Sequence, residues 1–377
     1  MTDIAPEPQS QDRNQRIIDA VHERFQVATE YLREDSAIEF NLNQDQNDLK
    51  TKFLSLIGEL RTYGDTAVLR KSEKGYLLIV VRKPRHSGKR SNTPLILMIA
   101  TLVVILVDGF IRAYSYPTSL SHLTTLEEVT AAGIYTVSLF GIIAIHEMGH
   151  KVASWYHKMD SSWPYFIPGI PGIWPTMGAV ISARDPPVNR DSLFDLGISG
   201  PVAGLTVTVI VSIVAVFSAQ LIPVGSVPAS QLTSTDYYTN FLISMFRTNS
   251  SNDVIVGATF SLLYFAYSFG FLLTFINLLP AWQLDGGHIS NAATSPRVHK
   301  LLTYISVLIM ILIQFYLMAF LILLLSGRSP RLEPLDTVSP LSSKRKLFFI
   351  LTWVLALSIF VLVLYNNALF GIGLLFK

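Results

Sequence analysis

The chain has 377 residues, of which 50% are hydrophobic and only 15% charged, and its net charge is +2. Soluble domains carry about 25% charged residues, so this is the composition of a membrane protein, and nothing in it forms the basic domain of a nucleic-acid binder. Cysteine is absent, which excludes a disulfide framework and a thiolate metal site; any metal must be held by nitrogen and oxygen.

In chain order, residues 1–13 are polar and expected to be disordered. Residues 14–83 read as a small cytosolic α+β domain. Ile17, Val21, Phe25, Ala28 and Leu32 recur at helical spacing and predict a helix over Arg16–Leu32. A strand is expected over Ser36–Asn43 and a second helix over Asp48–Tyr63. Thr66–Lys71 and Tyr76–Val81 then form a hairpin, with Gly75 supplying the turn. No nucleotide-binding loop or metal cluster interrupts this unit, so it reads as a regulatory or substrate-docking cap. Residues 84–93 are a basic linker, and 94–377 form the membrane domain.

A membrane-crossing helix needs roughly 20 mostly apolar residues. Such runs lie at 94–114, 131–155, 195–222, 254–279, 301–325 and 346–366. The expected fold class is a polytopic α-helical membrane protein of about six spans. The N-terminus lacks the layout of a cleaved signal peptide, so the first span is expected to direct insertion. Arg82, Lys83, Arg85, Lys89 and Arg90 precede that span, and the following loop has Glu127 and Glu128 but no lysine or arginine. The N-terminus is therefore placed in the cytoplasm. Arg328, Arg331, Lys344, Arg345 and Lys346 run against this scheme, because six crossings put them outside. Either the bias is weak there or the final helical pair is misread.

Between the second and third runs, Trp163–Ile181 is apolar yet crowded with proline and glycine, so it cannot be a regular spanning helix. Non-helical backbone at membrane depth survives only where protein or a water-filled cavity covers it. A re-entrant hairpin or loop is expected; the alternative is a surface loop dipping into the interface.

The second run ends in His146-Glu147-Met148-Gly149-His150, directly after the uncharged stretch Gly133–Ile145. Ionisable groups at that depth are expensive and mark a site. Residues i and i+4 share one helix face, so His146 and His150 can aim at one metal ion, with Glu147 handling the proton of an activated water. Catalytic zinc usually takes three protein ligands. A histidine ten residues after His146 would complete one known arrangement, but position 156 is tyrosine and His157 misses the register by one. Asp285, after the fourth run and among glycines, is the best remaining candidate; a lone aspartate there can equally end a helix in water. In the third run, Gly200-Pro201-Val202-Ala203-Gly204 puts small residues four apart, which lets helices approach closely.

HExxH in a membrane helix, then G-P-x-A-G, then N-x-x-P-x-x-x-x-D-G over Asn277–Gly286, is a far more specific combination than HExxH alone. In this order the chain resembles the site-2 protease family of intramembrane zinc metalloproteases, over about 131–291. The wording Pro-Tyr-Phe-Ile-Pro and Met-Gly-Ala-Val-Ile is similar to the archaeal, cyanobacterial and plastid branch. Pro175 stands where many relatives have glycine.

The resemblance implies that His146, His150 and Asp285 bind one Zn2+ per chain, that Glu147 is the general base, and that Asn277 holds substrate or the oxyanion. For Asn277 a helix-packing role is the alternative. His288 either orients Asp285 or another ligand, or is a surface histidine. The implied activity is hydrolysis of peptide bonds within or near transmembrane segments, with a catalytic core over 131–291 inside the 94–377 metalloprotease domain. The implied partners are membrane-protein substrates and the bilayer; the implied location is a prokaryotic plasma membrane, and oligomeric state is open. Two other readings compete. A membrane-anchored metalloprotease acting on soluble chains calls for a glutamate ligand on a later helix, where none lies. A non-enzymatic scaffold or transporter has no need of the complete motif set.

Overall fold

The computed structural model describes residues 8–33, 36–43, 47–83, 91–114, 124–223, 237–247, 253–256, 258–326 and 332–365. Two compact units emerge, the first built from 1–89 together with 186–193 and 332–342. It contains α1 (Pro8–His22), β1 (Val27–Leu32), β2 (Ile38–Leu42), α2 (Leu49–Leu60), β3 (Asp65–Ser72) and β4 (Gly75–Arg82). The strands form one antiparallel sheet in the order β1-β2-β4-β3. Alternate residues of β2 point inward, as period-two apolar patterning requires. Phe40, Leu42, Leu69, Leu78 and Val80 pack against Ile17, Val21 and Phe25 of the first helical region and Phe53, Leu56, Ile57 and Leu60 of α2.

The helix expected over Arg16–Leu32 stops at His22, and Val27–Leu32 is an edge strand. Phe25 still enters the core, but Leu32 is 64% exposed, so its helical spacing is coincidental. Pairing with β2 satisfies the backbone that a longer helix would otherwise have to satisfy. Helix α1 begins at Pro8, inside the segment expected to be disordered; residues 1–7, and 84–90 of the expected linker, lie outside the described residues.

Two distant segments complete this unit. Leu69 N donates to Leu335 O at 2.8 Å, and Leu335 N and Asp336 N donate to Pro187 O and Val188 O. The Arg70 guanidinium donates to the carbonyls of Pro334 and Leu335. Lys50 Nζ meets Asp191 Oδ2 at 2.5 Å, and Val188 and Leu335 join the same hydrophobic core.

The second unit holds 90–185, 194–331 and 343–377. Its elements are α3 (Thr93–Tyr114), α4 (Thr125–Tyr156), β5 (Tyr165–Ile170), β6 (Trp174–Val180), most of α5 (Arg190–Ser218), β7 (Gln220–Pro223), α6 (Tyr237–Phe246), β8 (Asp253–Val256), α7 (Ala258–Leu278), α8 (Asp285–Ala293), α9 (Pro296–Leu312), α10 (Tyr316–Ser326) and α11 (Ser343–Tyr365). Among the described residues five helices, α3, α4, α5, α7 and α11, are long and apolar enough to cross a membrane. Most of α7 is buried, packed against α3, α4 and α11. Helix α4 is started by a capping box in which Thr124 and Glu127 bond each other's backbone N–H.

The apolar run at 301–325 is not one continuous helix. Helix α9 ends at Leu312, Gln314 takes a left-handed φ of 66°, and α10 resumes at Tyr316. A polar residue in that conformation breaks the helix, and neither piece reaches crossing length. The run at 254–279 likewise starts as strand β8, paired with β7, before α7 begins. The proline- and glycine-rich segment folds as the β5–β6 antiparallel hairpin, with a register shift between Phe166 and Pro168. Its tip turns at Gly172, whose φ of +81° favours glycine.

Candidate metal centre

The centre is assembled from four helices, α4, α5, α7 and α8. Helix α4 presents His146, Glu147 and His150, all buried. One turn of helix separates the two histidines, so His146 Nε2 and His150 Nε2 lie 3.2 Å apart. Helix α7 stops at Leu278 because Pro280 cannot continue it. The chain then bends tightly, with Ala281 N donating to Leu279 O and Trp282 at a φ of 46°, and α8 starts at Asp285. A β-carbon at Gly286 or Gly287 would strike the carbonyls of Leu278 or Trp282, so the turn needs both glycines. Asp285 is thereby delivered to the imidazole pair: Oδ2 is 3.1 Å from His146 Nε2 and Oδ1 is 3.3 Å from His150 Nε2.

Helix α5 forms the wall behind the histidines. His150 Nδ1 is 2.8 Å from Leu196 O. Donation of Nδ1–H to that carbonyl leaves the Nε2 lone pair facing Asp285. Gly200 has no room for a side chain, because its β-carbon would fall on the His150 ring, and at Gly204 it would come 3.0 Å from His146 Cβ. Gly149 of α4 is equally constrained by Ser199 O. The G-P-x-A-G element is thus a surface shaped to seat two imidazoles.

The donor set fits a metal ion. A tetrahedral ion with bonds of about 2.1 Å separates its ligand atoms by about 3.4 Å, and the three contacts here run from 3.1 to 3.3 Å. Asp285 Oδ2 is buried and receives no well-directed hydrogen bond. Three acceptors this close repel one another: a proton relieves one pair, a metal ion all three. Among the described residues this is the group of histidine and acidic side chains whose ligand atoms converge. Burial alone raises the Asp285 carboxyl, but His150 and His146 outweigh it and hold the group below the usual carboxylate range.

Asn277, on the last turn of α7, has Nδ2 3.3 Å from His146 Nε2. That contact places Asn277 beside the histidine pair. His288 lies one turn beyond Asp285, half-buried, and its β-carbon faces Gly197. Burial pushes it down to about 4, against the pull of Asp285, so it is a neutral neighbour of the ligand set.

One polar cluster escaped the sequence reading. Asp108 is fully buried in α3 and bonds Arg112, Tyr135 and the backbone of Gly172. The signal was present: an Asp and an Arg four apart inside an apolar run.

Residues 134–320 match the model of Peptidase family M50. A probable chloroplastic zinc metalloprotease of Arabidopsis thaliana, EGY1, is 29% identical over 168 residues, 44% of this chain and 30% of the relative. The EGY1 protein of Oryza sativa subsp. japonica is 27% identical over 164 residues, 41% of this chain and 27% of the relative. The chain thus spans less than a third of the length of these curated relatives. No solved structure matches. His146, Glu147 and His150 and the helices α5, α7 and α8 fall inside the matched stretch, and over residues 134–320 the chain belongs to peptidase family M50, the site-2 protease family.

Proposed function

We propose that this chain is a zinc-dependent intramembrane metalloendopeptidase that hydrolyses peptide bonds within or near transmembrane segments of other membrane proteins. The observation that carries the reading is the convergence of His146, His150 and Asp285 to within 3.3 Å of one another on apolar helices. In this assignment the three hold one Zn2+, which supplies a Lewis acid for the scissile carbonyl and lowers the pKa of water. Glu147, buried beside His146, accepts the proton of the attacking water and returns it to the leaving amine. Asn277 turns its amide N–H towards the negative charge that develops on the carbonyl oxygen.

A helical peptide bond is hydrogen-bonded and hidden, so a substrate helix must unwind before it is cut. The β5–β6 hairpin gives an unwound strand something to pair with. Ile167, Ile170, Ile173, Met177 and Val180 are more than a third exposed, which suits an apolar substrate. This reading makes the hairpin re-entrant, as its apolar proline- and glycine-rich composition suggests.

The topology in this proposal has five crossings. Residues 1–89, 186–193 and 332–342 build one compact unit, so they share one side of the membrane. An even number of crossings must then separate 193 from 332; α5 and α7 supply two, and the broken α9–α10 pair supplies none. Lys344–Lys346 thereby join the basic side, which the lysine and arginine bias assigns to the cytoplasm, while Arg328 and Arg331 lie outside the described residues. The 94–377 metalloprotease domain, its 131–291 core and a prokaryotic plasma membrane remain part of the proposal.

The test is Glu147→Gln. The variant should keep its zinc, measured by elemental analysis, and lose cleavage of a reporter with a single transmembrane segment. Cleavage at the unmodified rate would defeat the mechanism.

A further inference from the structure

Asp108 sits on α3, one of the apolar helices, with no exposed surface. A carboxylate at membrane depth persists only where donors compensate it. Three do. Gly172 N donates to Oδ1 at 2.7 Å. Tyr135 OH of α4 and Arg112 Nε of α3 donate to Oδ2 at 2.5 and 2.6 Å. The Arg112 guanidinium also lies 3.5 Å above the Phe265 ring of α7. The metal chemistry uses none of these groups, yet they tie three helices to the hairpin tip.

The hairpin has reason to need an anchor. A two-stranded hairpin is marginally stable on its own, and this one leans on α3 and α4 through mainly apolar packing such as Phe166 against Phe140. This one is interrupted by Pro168 and by a register shift, and Ile170 and Ile173 at its tip are 55% and 72% exposed. Trp174 packs its ring 5.0 Å from that of Phe269; that contact is apolar and permits sliding. The Gly172–Asp108 hydrogen bond is directional and charge-assisted, so it fixes the tip along the helix axis.

We propose that Asp108 is a positioning residue of the peptidase reaction: through the Gly172 N–H it sets where the β5–β6 hairpin lies, and hence the register in which substrate backbone is presented. The proposal rests on the reading above that the hairpin pairs with substrate. Asp108 touches neither substrate nor metal ligand; Arg112 and Tyr135 hold its other oxygen, which leaves Oδ1 for the tip.

The experiment uses full-length, zinc-loaded enzyme in lipid vesicles with the single-span reporter. Asp108→Asn replaces two charged acceptors with one carbonyl and turns an amide N–H towards a donor. Hydrogen exchange at the amides of Trp174 and Thr176–Val180 should then accelerate about tenfold to a hundredfold, the range for a hydrogen bond to a charged group. Turnover should fall at least about tenfold, and by up to about a hundredfold for a misplacement of about 1 Å, and zinc content should hold. Tyr135→Phe, which spares the Gly172 bond, should stay within about threefold in both readouts.

If Asp108→Asn does not fold, a Gly172 pair decides. Gly172→Asn tolerates the left-handed φ and keeps the donor, and should behave as the parent chain. Gly172→Val is disfavoured there and should reproduce the loss while Asp108, Arg112 and Tyr135 are untouched. Unchanged exchange and turnover in Asp108→Asn or Gly172→Val overturn the proposal. So does loss of zinc together with turnover, which marks a purely structural role. Faster exchange with undiminished turnover overturns the role in the reaction, while the peptidase reading still stands or falls on Glu147→Gln.

Discussion

Replacing Gly200 by alanine tests the metal centre without touching a proposed ligand. The new β-carbon would lie 2.7 Å from His150 Cδ2 and nearer still to its Cε1 and Nε2. Non-bonded carbons rest at about 3.5–4.0 Å, so the imidazole or α5 must give way by about 1 Å. The ring cannot swing freely, because Leu196 O holds its Nδ1 side and the Asp285–His146 group occupies the other. Disturbing the group that orients a metal ligand typically lowers metal affinity 10–100-fold, about 1.4–2.8 kcal/mol. The assay is a zinc-competition titration of the purified protein, with Gly133→Ala as control, since a β-carbon at Gly133 meets nothing within 4 Å. Parental zinc affinity in Gly200→Ala would refute the claim that this glycine exists to seat His150.

Further outcomes follow from the same geometry. Asp285→Ala should lose zinc by at least about the same 10–100-fold and should not recover cleavage when zinc is added, whereas the parent chain stripped by a chelator should recover; full zinc in the variant would remove Asp285 from the ligand set. Leu335→Ala should destabilise the first unit by about 2 kcal/mol or more, as truncation of a buried leucine does, read as increased protease sensitivity of residues 1–89; unchanged sensitivity would detach that loop from the domain. Because the chain has no cysteine, single cysteines report topology cleanly. Lys71→Cys and Glu333→Cys should react with an impermeant thiol reagent from one side and Met245→Cys from the other; opposite labelling of the first two would restore six crossings.

The metal centre was legible because its residues recur at spacings that chemistry dictates. Two histidines four apart need one helix, and the turn that carries Asp285 needs Pro280, Gly286 and Gly287 close together in sequence. The walls of the site were only half legible: Gly200 and Gly204 read as close packing, but the sequence does not say that imidazoles fill the space they leave. What failed was averaged away or non-local. Asp108 and Arg112 vanish in an apolar window of 21 residues; Gln314 is one polar residue in a long apolar run, yet it decides between one helix and two. No local pattern announces that residues 186–193 and 332–342 belong to the N-terminal fold, because their pairing with Leu69 and with each other is set by tertiary contact.

That last feature has a bearing on biogenesis. The leading 89 residues leave the ribosome long before Val188 is made and longer still before Leu335, yet both close the hydrophobic core of that unit. Until they arrive, the sheet presents an uncovered β3 edge and an incomplete interior, a state open to aggregation. Completion of this unit is therefore coupled to synthesis of the helices between 89 and 332, and on the proposed topology a chain whose insertion stalls would leave the unit unfinished.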